Sequence, residues 1–163
     1  MNYEINKVIT GHWALPRPIG KYKTRHPDEL LNRLEVLIGP WNRKEILHLF
    51  SGISKFKNAK KEVRVDINPE VNPDLILDLR KDKLPFQDNN FDIVYADPPY
   101  YNFPPYCFVK EAVRVLKPFG FLVILHQLVY KTPNNCKRWA CISIGTGPNM
   151  RLRCLNIFRK LNI

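Results

Sequence analysis

Five short apolar runs, each ending at a polar or turn-forming residue, constrain this 163-residue chain more than any other feature. Glu45-Ile46-Leu47-His48-Leu49-Phe50 leads into Ser51-Gly52, and Val63-Arg64-Val65 ends in Asp66. Leu75-Ile76-Leu77 ends in Asp78, Phe91 to Ala96 delivers Asp97, and Phe121 to Leu125 ends in His126. Apolar runs of this length, bounded by turn residues, read as buried parallel strands. Helical patterns fit among them. Pro27-Asp28-Glu29 puts a proline and two acids ahead of the stripe Leu30, Leu31, Leu34, Leu37 and Ile38, with Gly39-Pro40 as the stop. Cys107 to Leu116 has the same spacing, and Lys117-Pro118-Phe119-Gly120 is expected to end it. Trp139 to Ile144, the turn Gly145 to Asn149, and Arg151 to Phe158 read as a terminal antiparallel hairpin. The expectation is an open α/β sheet whose ligands sit beyond the carboxyl ends of its strands.

Residues 1–26, with Gly11, Pro16, Pro18 and Gly20 around Trp13 and Tyr22, read as an irregular arm, and residues 27–163 as one domain. That length buries a real core and leaves no room for a second large domain. Lys and Arg number 26 against 15 Asp and Glu, a formal charge of +11. A polyanion suits that charge, as does a merely basic soluble surface. No 18-residue apolar stretch and no secretion-signal pattern is present, so a soluble intracellular protein without membrane insertion is expected. Cys107, Cys136, Cys141 and Cys154 form neither a CxxC pair nor a zinc-type spacing with histidine, so free thiols are expected and no metal.

Asp97-Pro98-Pro99-Tyr100 carries the most specific chemistry. The carboxylate accepts from an exocyclic NH2, the prolines hold the Pro98 carbonyl as a second acceptor, and the Tyr100 ring stacks on a planar partner. The plainer alternative is a strand-ending turn with a surface aromatic. At the end of the second run, Asp66 suits both hydroxyls of a ribose, with Ile67 packing on an attached base. Phe50-Ser51-Gly52 forms a compact turn where backbone approaches a small ligand, and Asp78 with the Leu79 backbone can meet a purine amine. The absence of GxGxxG disfavours a dinucleotide clamp, and with it a dehydrogenase.

Taken together, Ile46 to Gly52, Asp66, Asp78 and Asp97-Pro98-Pro99-Tyr100 resemble the motifs of class I S-adenosylmethionine-dependent methyltransferases, in particular those acting on adenine N6 or, less often, cytosine N4. The resemblance spans about Pro27 to Lys160 and continues through Phe108 to His126. It implies a Rossmann-like, mostly parallel seven-stranded sheet with an antiparallel last strand and helices on both faces. It also implies S-adenosylmethionine held by His48, Phe50, Ser51, Gly52, Asp66, Ile67, Asp78, Leu79 and the Asp97 backbone, with the target base above Tyr100. Two positions depart from the pattern: His48 stands where relatives usually have an acid, and Ser54 replaces the second glycine of the turn. His48 is either a ring-nitrogen partner of the cofactor or a satisfied core histidine.

The implied reaction is in-line methyl transfer to an amine aligned by Asp97, Pro98, Pro99 and Tyr100, on a base flipped out of its duplex. DNA adenine is the first expectation and RNA adenine the second. Remaining alternatives are a protein glutamine or small-molecule amine, or a degenerate fold serving as a nucleic-acid-binding partner subunit. The arm from Trp13 to His26 and the loop from Tyr100 to Cys107 are the candidates for target contact. A homodimer or a target-selecting protein partner is compatible with so short a chain.

Overall fold

Strand formation follows the apolar runs closely. The structure, a computed structural model, describes residues 7–16, 29–146 and 152–162. Its elements in chain order are β1 (Ile9–Ala14), α1 (Leu30–Ile38), β2 (Glu45–Leu49), β3 (Lys61–Asp66), β4 (Leu75–Ile76), β5 (Phe91–Ala96), α2 (Val109–Val115), β6 (Leu116–His126), β7 (Cys136–Gly145) and β8 (Arg153–Lys160). Short 3-10 turns cover Trp41–Arg43 and Pro69–Val71.

The strands form one eight-stranded sheet in the order β1-β7-β8-β6-β5-β2-β3-β4. β8 is antiparallel to both β6 and β7, and the other neighbours are parallel. This is the expected mostly parallel sheet with an antiparallel last strand, extended at one edge by β1. The irregular arm foreseen for residues 1–26 therefore needs correction over Ile9–Ala14, which pairs in parallel with Ala140 to Gly145. Backbone pairing makes this strand. Its side chains are mostly exposed, so no apolar pattern announces it. Residues 1–6 and 17–26 of the foreseen arm lie outside the described residues.

Side-chain alternation sorts the core onto two faces. Leu47, Leu49, Val65, Val94, Ala96, Leu122 and Ile124 face Val109, Ala112 and Val113 of α2. Ile46, Ile93, Tyr95, Val123 and Leu125 face Leu30, Leu34 and Ile38 of α1, together with Trp41. Burial on both faces explains why the central runs lack polar alternation.

The connections are unusually lean. Residues 50–60, between β2 and β3, contain no helix. Phe56 fills that place, its ring centroid 5.1 Å from Trp41, 5.2 Å from His48 and 5.4 Å from Tyr95. Burying such a ring contributes roughly 1.5–3 kcal/mol. α2 runs directly into β6, so Lys117 to Gly120 belong to the strand rather than to a separate stop. The helix still needs its last carbonyls satisfied, and Lys160 does this by donating to Val113 O at 2.8 Å and Leu116 O at 2.6 Å. The register shifts between Phe91 and Ile93. There Gly120 is required, because a Cβ on it would stand 2.7 Å from the Asp92 carbonyl oxygen. Among the described residues, no helix is long and apolar enough to cross a membrane.

Candidate active site

β2 ends in a turn that departs from ordinary backbone geometry. Phe50 has φ +54°, in the left-handed region, which costs a residue with a side chain roughly 1–2 kcal/mol. Packing holds it there: Phe103 and Phe108 meet the Phe50 ring edge-on at 5.1 and 5.2 Å. Ser51 N–H donates to the Val65 carbonyl at 3.1 Å, tying the turn to β3. Gly52, also left-handed at φ +51°, donates its N–H to Asp66 Oδ2 at 2.8 Å. Asp66 Oδ1 accepts from Asn68 N–H at 3.0 Å. Strain concentrated beside a strand-end carboxylate is typical of a ligand site.

A cavity of about 190 Å³ opens at this point, lined by Phe50, Asp66, Ile67, Leu77, Asp78, Leu79, Arg80, Pro99, Tyr101, Asn102 and Phe103. It gathers the predicted Phe50, Asp66, Ile67, Asp78 and Leu79 together with Pro99 of the proline turn. Ile67 is 54% exposed and presents a free apolar surface. Asp78 is already engaged: its carboxylate accepts from Arg80 N–H at 3.1 Å, Nε at 2.8 Å and Nη2 at 2.8 Å. Beside it, the Arg80 guanidinium holds the Asp78 carboxyl down at about 2. Sequence reading missed Arg80, and it set Phe103 in the target-contact loop rather than on this wall. Arg80 lies two residues past a strand-end acid, and that spacing was the available signal.

His48, Ser51 and Gly52 do not line the cavity. His48 is fully buried on the α1 face, its Nδ1 2.9 Å from Glu62 Oε1 and its ring edge-on to Phe56 and Tyr95. Of the two readings left open by the sequence, this position matches the core histidine. Ser51 is also buried, with Oγ 3.4 Å from the Gly52 carbonyl, and Gly52 serves through its contact with Asp66.

At the end of β5, Pro98 is buried while Pro99 is exposed at the cavity wall. Tyr100 donates from its hydroxyl to Asp97 Oδ1 at 3.3 Å, and burial pushes its phenol well above the ordinary value. The Tyr100 ring rests edge-on against His126, centroids 5.0 Å apart. His126 ends β6 and is a further residue whose role sequence reading missed, although it closes an apolar run just as Asp66 and Asp78 do. Its Nδ1 accepts from Leu128 N–H at 3.1 Å. A ring nitrogen that accepts carries no proton, which marks a neutral imidazole. Burial, the largest influence, lowers its pKa.

Loop aromatics divide between core and surface. Phe103 packs against the core, Tyr106 meets Tyr130 at 4.9 Å, and Tyr101 is 63% exposed. Trp13 packs inward, with the Arg33 guanidinium 6.0 Å from its ring.

Residues 51–124 match a family model described as a methyltransferase domain. A candidate methyltransferase from Bacillus halodurans C-125 is 24% identical, with 66% of this chain and 53% of that one covered and a TM-score of 0.50. The chain thus spans about half the length of that protein. A candidate methylase from Haemophilus influenzae is 17% identical over 83% of this chain and 90% of that one, with a TM-score of 0.63. For a SAM-dependent methyltransferase from Aquifex aeolicus the values are 15%, 84%, 94% and 0.55. No curated protein matches the chain. Agreement lies with methyltransferases in general and not with adenine-N6 enzymes in particular. The matched central segment, less than half of the chain, and the shared sheet give it the class I S-adenosylmethionine-dependent methyltransferase fold.

Proposed function

We propose that the protein methylates the exocyclic N6 amine of adenine in a nucleic acid, DNA before RNA. The observation that carries this reading is the shared wall of the cavity, where Pro99 of the Asp97-Pro98-Pro99-Tyr100 turn meets the same space as Asp66 and Phe50. An amine-binding turn and a ribose-type carboxylate then serve one reaction.

The donor set fits the cofactor. Asp66 accepts two backbone N–H groups, and an ionised carboxylate has about four acceptor positions, so capacity remains for ribose hydroxyls. Ile67, Phe50 and Phe103 offer apolar surface to a purine, and the Leu79 backbone offers polar contacts. Asp78 acts through Arg80, which it fixes at the wall. S-adenosylmethionine supplies an electrophilic methyl group on a sulfonium.

The chain's own task is to present the acceptor nitrogen. An aromatic amine is a poor nucleophile because its lone pair is delocalised into the ring. Asp97 and the Pro98 carbonyl accept its two N–H bonds, which favours pyramidal nitrogen and stabilises positive charge as it develops. The amine becomes acidic only as it is alkylated, so Asp97 need not be a strong base. Tyr100, backed by His126, holds the ring plane, worth roughly 1–3 kcal/mol as base stacking. Exposed Tyr101 and the chain's +11 charge suit a flipped base with its phosphates nearby. A target-selecting protein partner or a second copy would then supply sequence choice.

A second reading is transfer to a protein amide or small-molecule amine: the names of the three structures specify no acceptor, and a side-chain amide is as planar as the adenine amine. The test is transfer of radiolabelled methyl from S-adenosylmethionine to unmodified DNA and RNA pools at low salt, followed by nucleoside analysis. Label in N6-methyladenine that disappears in Asp97→Ala supports the proposal. Cofactor binding without label in either pool moves the substrate to another amine or makes the fold a partner subunit.

A further inference from the structure

Arg64 is a buried cation that the reaction does not use. It lies within an apolar run on β3, two residues before Asp66, and is 6% exposed. Its two terminal guanidinium nitrogens donate to backbone carbonyls. Nη2 donates to the Gly52 carbonyl and, at 3.0 Å, to Val71 O; Nη1 donates to Asn72 O at 3.0 Å. The Arg64 backbone is pinned in turn, with its N–H on Asp74 Oδ2 at 2.7 Å and its carbonyl accepting from Asp74 N–H at 2.9 Å.

Gly52 is therefore gripped from both sides by one strand. Asp66 takes its N–H and Arg64 takes its carbonyl, while residues 50–60 provide no helix to order the turn. The same guanidinium ties the turn after β2 to the 3-10 turn after β3, and these two turns flank Asp66. Five N–H donors in a rigid fork make arginine suited to this, whereas the ammonium of lysine is a point charge.

We propose that Arg64 is a positioning residue for the cofactor site, replacing a missing crossover helix by fixing the Gly52 turn in its binding shape. This rests on reading the cavity as the cofactor site. Arg64 touches no substrate; it acts through Gly52 and Asp66.

The test compares Arg64→Lys and Arg64→Met with Arg114→Met. Arg114 also holds carbonyls, those of Leu84 and Phe86, but does not line the cavity, so its loss reports general destabilisation alone. Binding of S-adenosylhomocysteine is measured by calorimetry, Gly52 amide hydrogen exchange by NMR, and melting temperature alongside. Arg64→Lys is expected to weaken binding about tenfold and speed Gly52 exchange, with Arg64→Met weaker still if it folds. Arg114→Met is expected to lower the melting temperature with binding unchanged. An Arg64→Lys protein that binds as wild type, or loses no more affinity than Arg114→Met, overturns the proposal. Wild-type protein that binds no S-adenosylhomocysteine overturns the cofactor reading and the proposal with it, an outcome distinct from binding that ignores Arg64.

Discussion

The loops after β2, β3 and β4 and those after β5 and β6, next to the start of β8, do the same job of holding side chains at the carboxyl ends of parallel strands, but by different means. On the first side, charged side chains grip backbone: Asp66 and Arg64 on Gly52, Asp74 on Arg64, and Asp82 on the Asp78 N–H at 2.8 Å. The second side relies on long strands, α2 and a buried stack in which Tyr100, His126 and Tyr130 meet in series at 5.0 and 5.5 Å. At its centre Asn156, fully buried, accepts from Tyr130 N–H at 2.9 Å and donates to Leu128 O at 3.0 Å. Polar tethers thus do on the proposed cofactor side what packing does on the proposed acceptor side. A turn can be held without a helix when its peptide groups meet fixed charges.

This contrast predicts separable losses. The largest is Asp97→Ala, expected to cut methyl transfer about 10²–10³-fold, as removal of a transition-state hydrogen-bonding group does, while S-adenosylhomocysteine affinity stays near wild type. A parallel loss of cofactor affinity would break the division between the two sides. Next is Asn156→Leu, expected to lower stability by roughly 2–4 kcal/mol because it orphans buried backbone groups, measured by urea unfolding. Its surviving folded fraction should still bind the cofactor. Asp66→Asn should weaken cofactor binding about tenfold, near 1.4 kcal/mol, by calorimetry, and leave the acceptor-side stack intact.

Smaller effects come from protons. His126 titrates below its ordinary 6.5 because burial disfavours its charged form. As pH falls below that value the unfolded chain takes the proton first, so this group's contribution to stability is full above 6.5 and lost through its lowered folded pKa. His126→Gln should flatten stability between neutral and mildly acidic pH. Asp78, held at about 2 against an ordinary 3.8, keeps its Arg80 pair as pH drops through 4 and releases it only toward 2. A carboxyl NMR titration reads this directly, and release near 4 would remove Arg80 from its fixed place at the wall.

The division also explains what was legible in the sequence. Ile46 to Leu49, Phe91 to Ala96 and Phe121 to Leu125 announce themselves because burial on both faces leaves no polar alternation. Their ends mark Ser51-Gly52, Asp97 and His126, and the shorter runs Val63 to Val65 and Leu75 to Leu77 mark Asp66 and Asp78 in the same way. β1 stays hidden because an exposed edge strand is fixed by backbone pairing with β7, which leaves no apolar signature. Arg64 and Arg80 stay hidden for another reason: a tether depends on where loops return in space. One local clue existed, since a cation between Val63 and Val65 must find partners once the strand is buried. His48 shows the reverse, a position marked by resemblance whose side chain is absorbed into the α1 face by Glu62 and Phe56.

The most direct test of the account is a co-crystal structure with S-adenosylhomocysteine. Its ribose hydroxyls should lie on Asp66, its purine between Ile67 and the Phe50 and Phe103 rings, and its sulfur should point toward Asp97 and Tyr100. A ligand bound elsewhere on the sheet, or its sulfur turned away from Asp97, would contradict it.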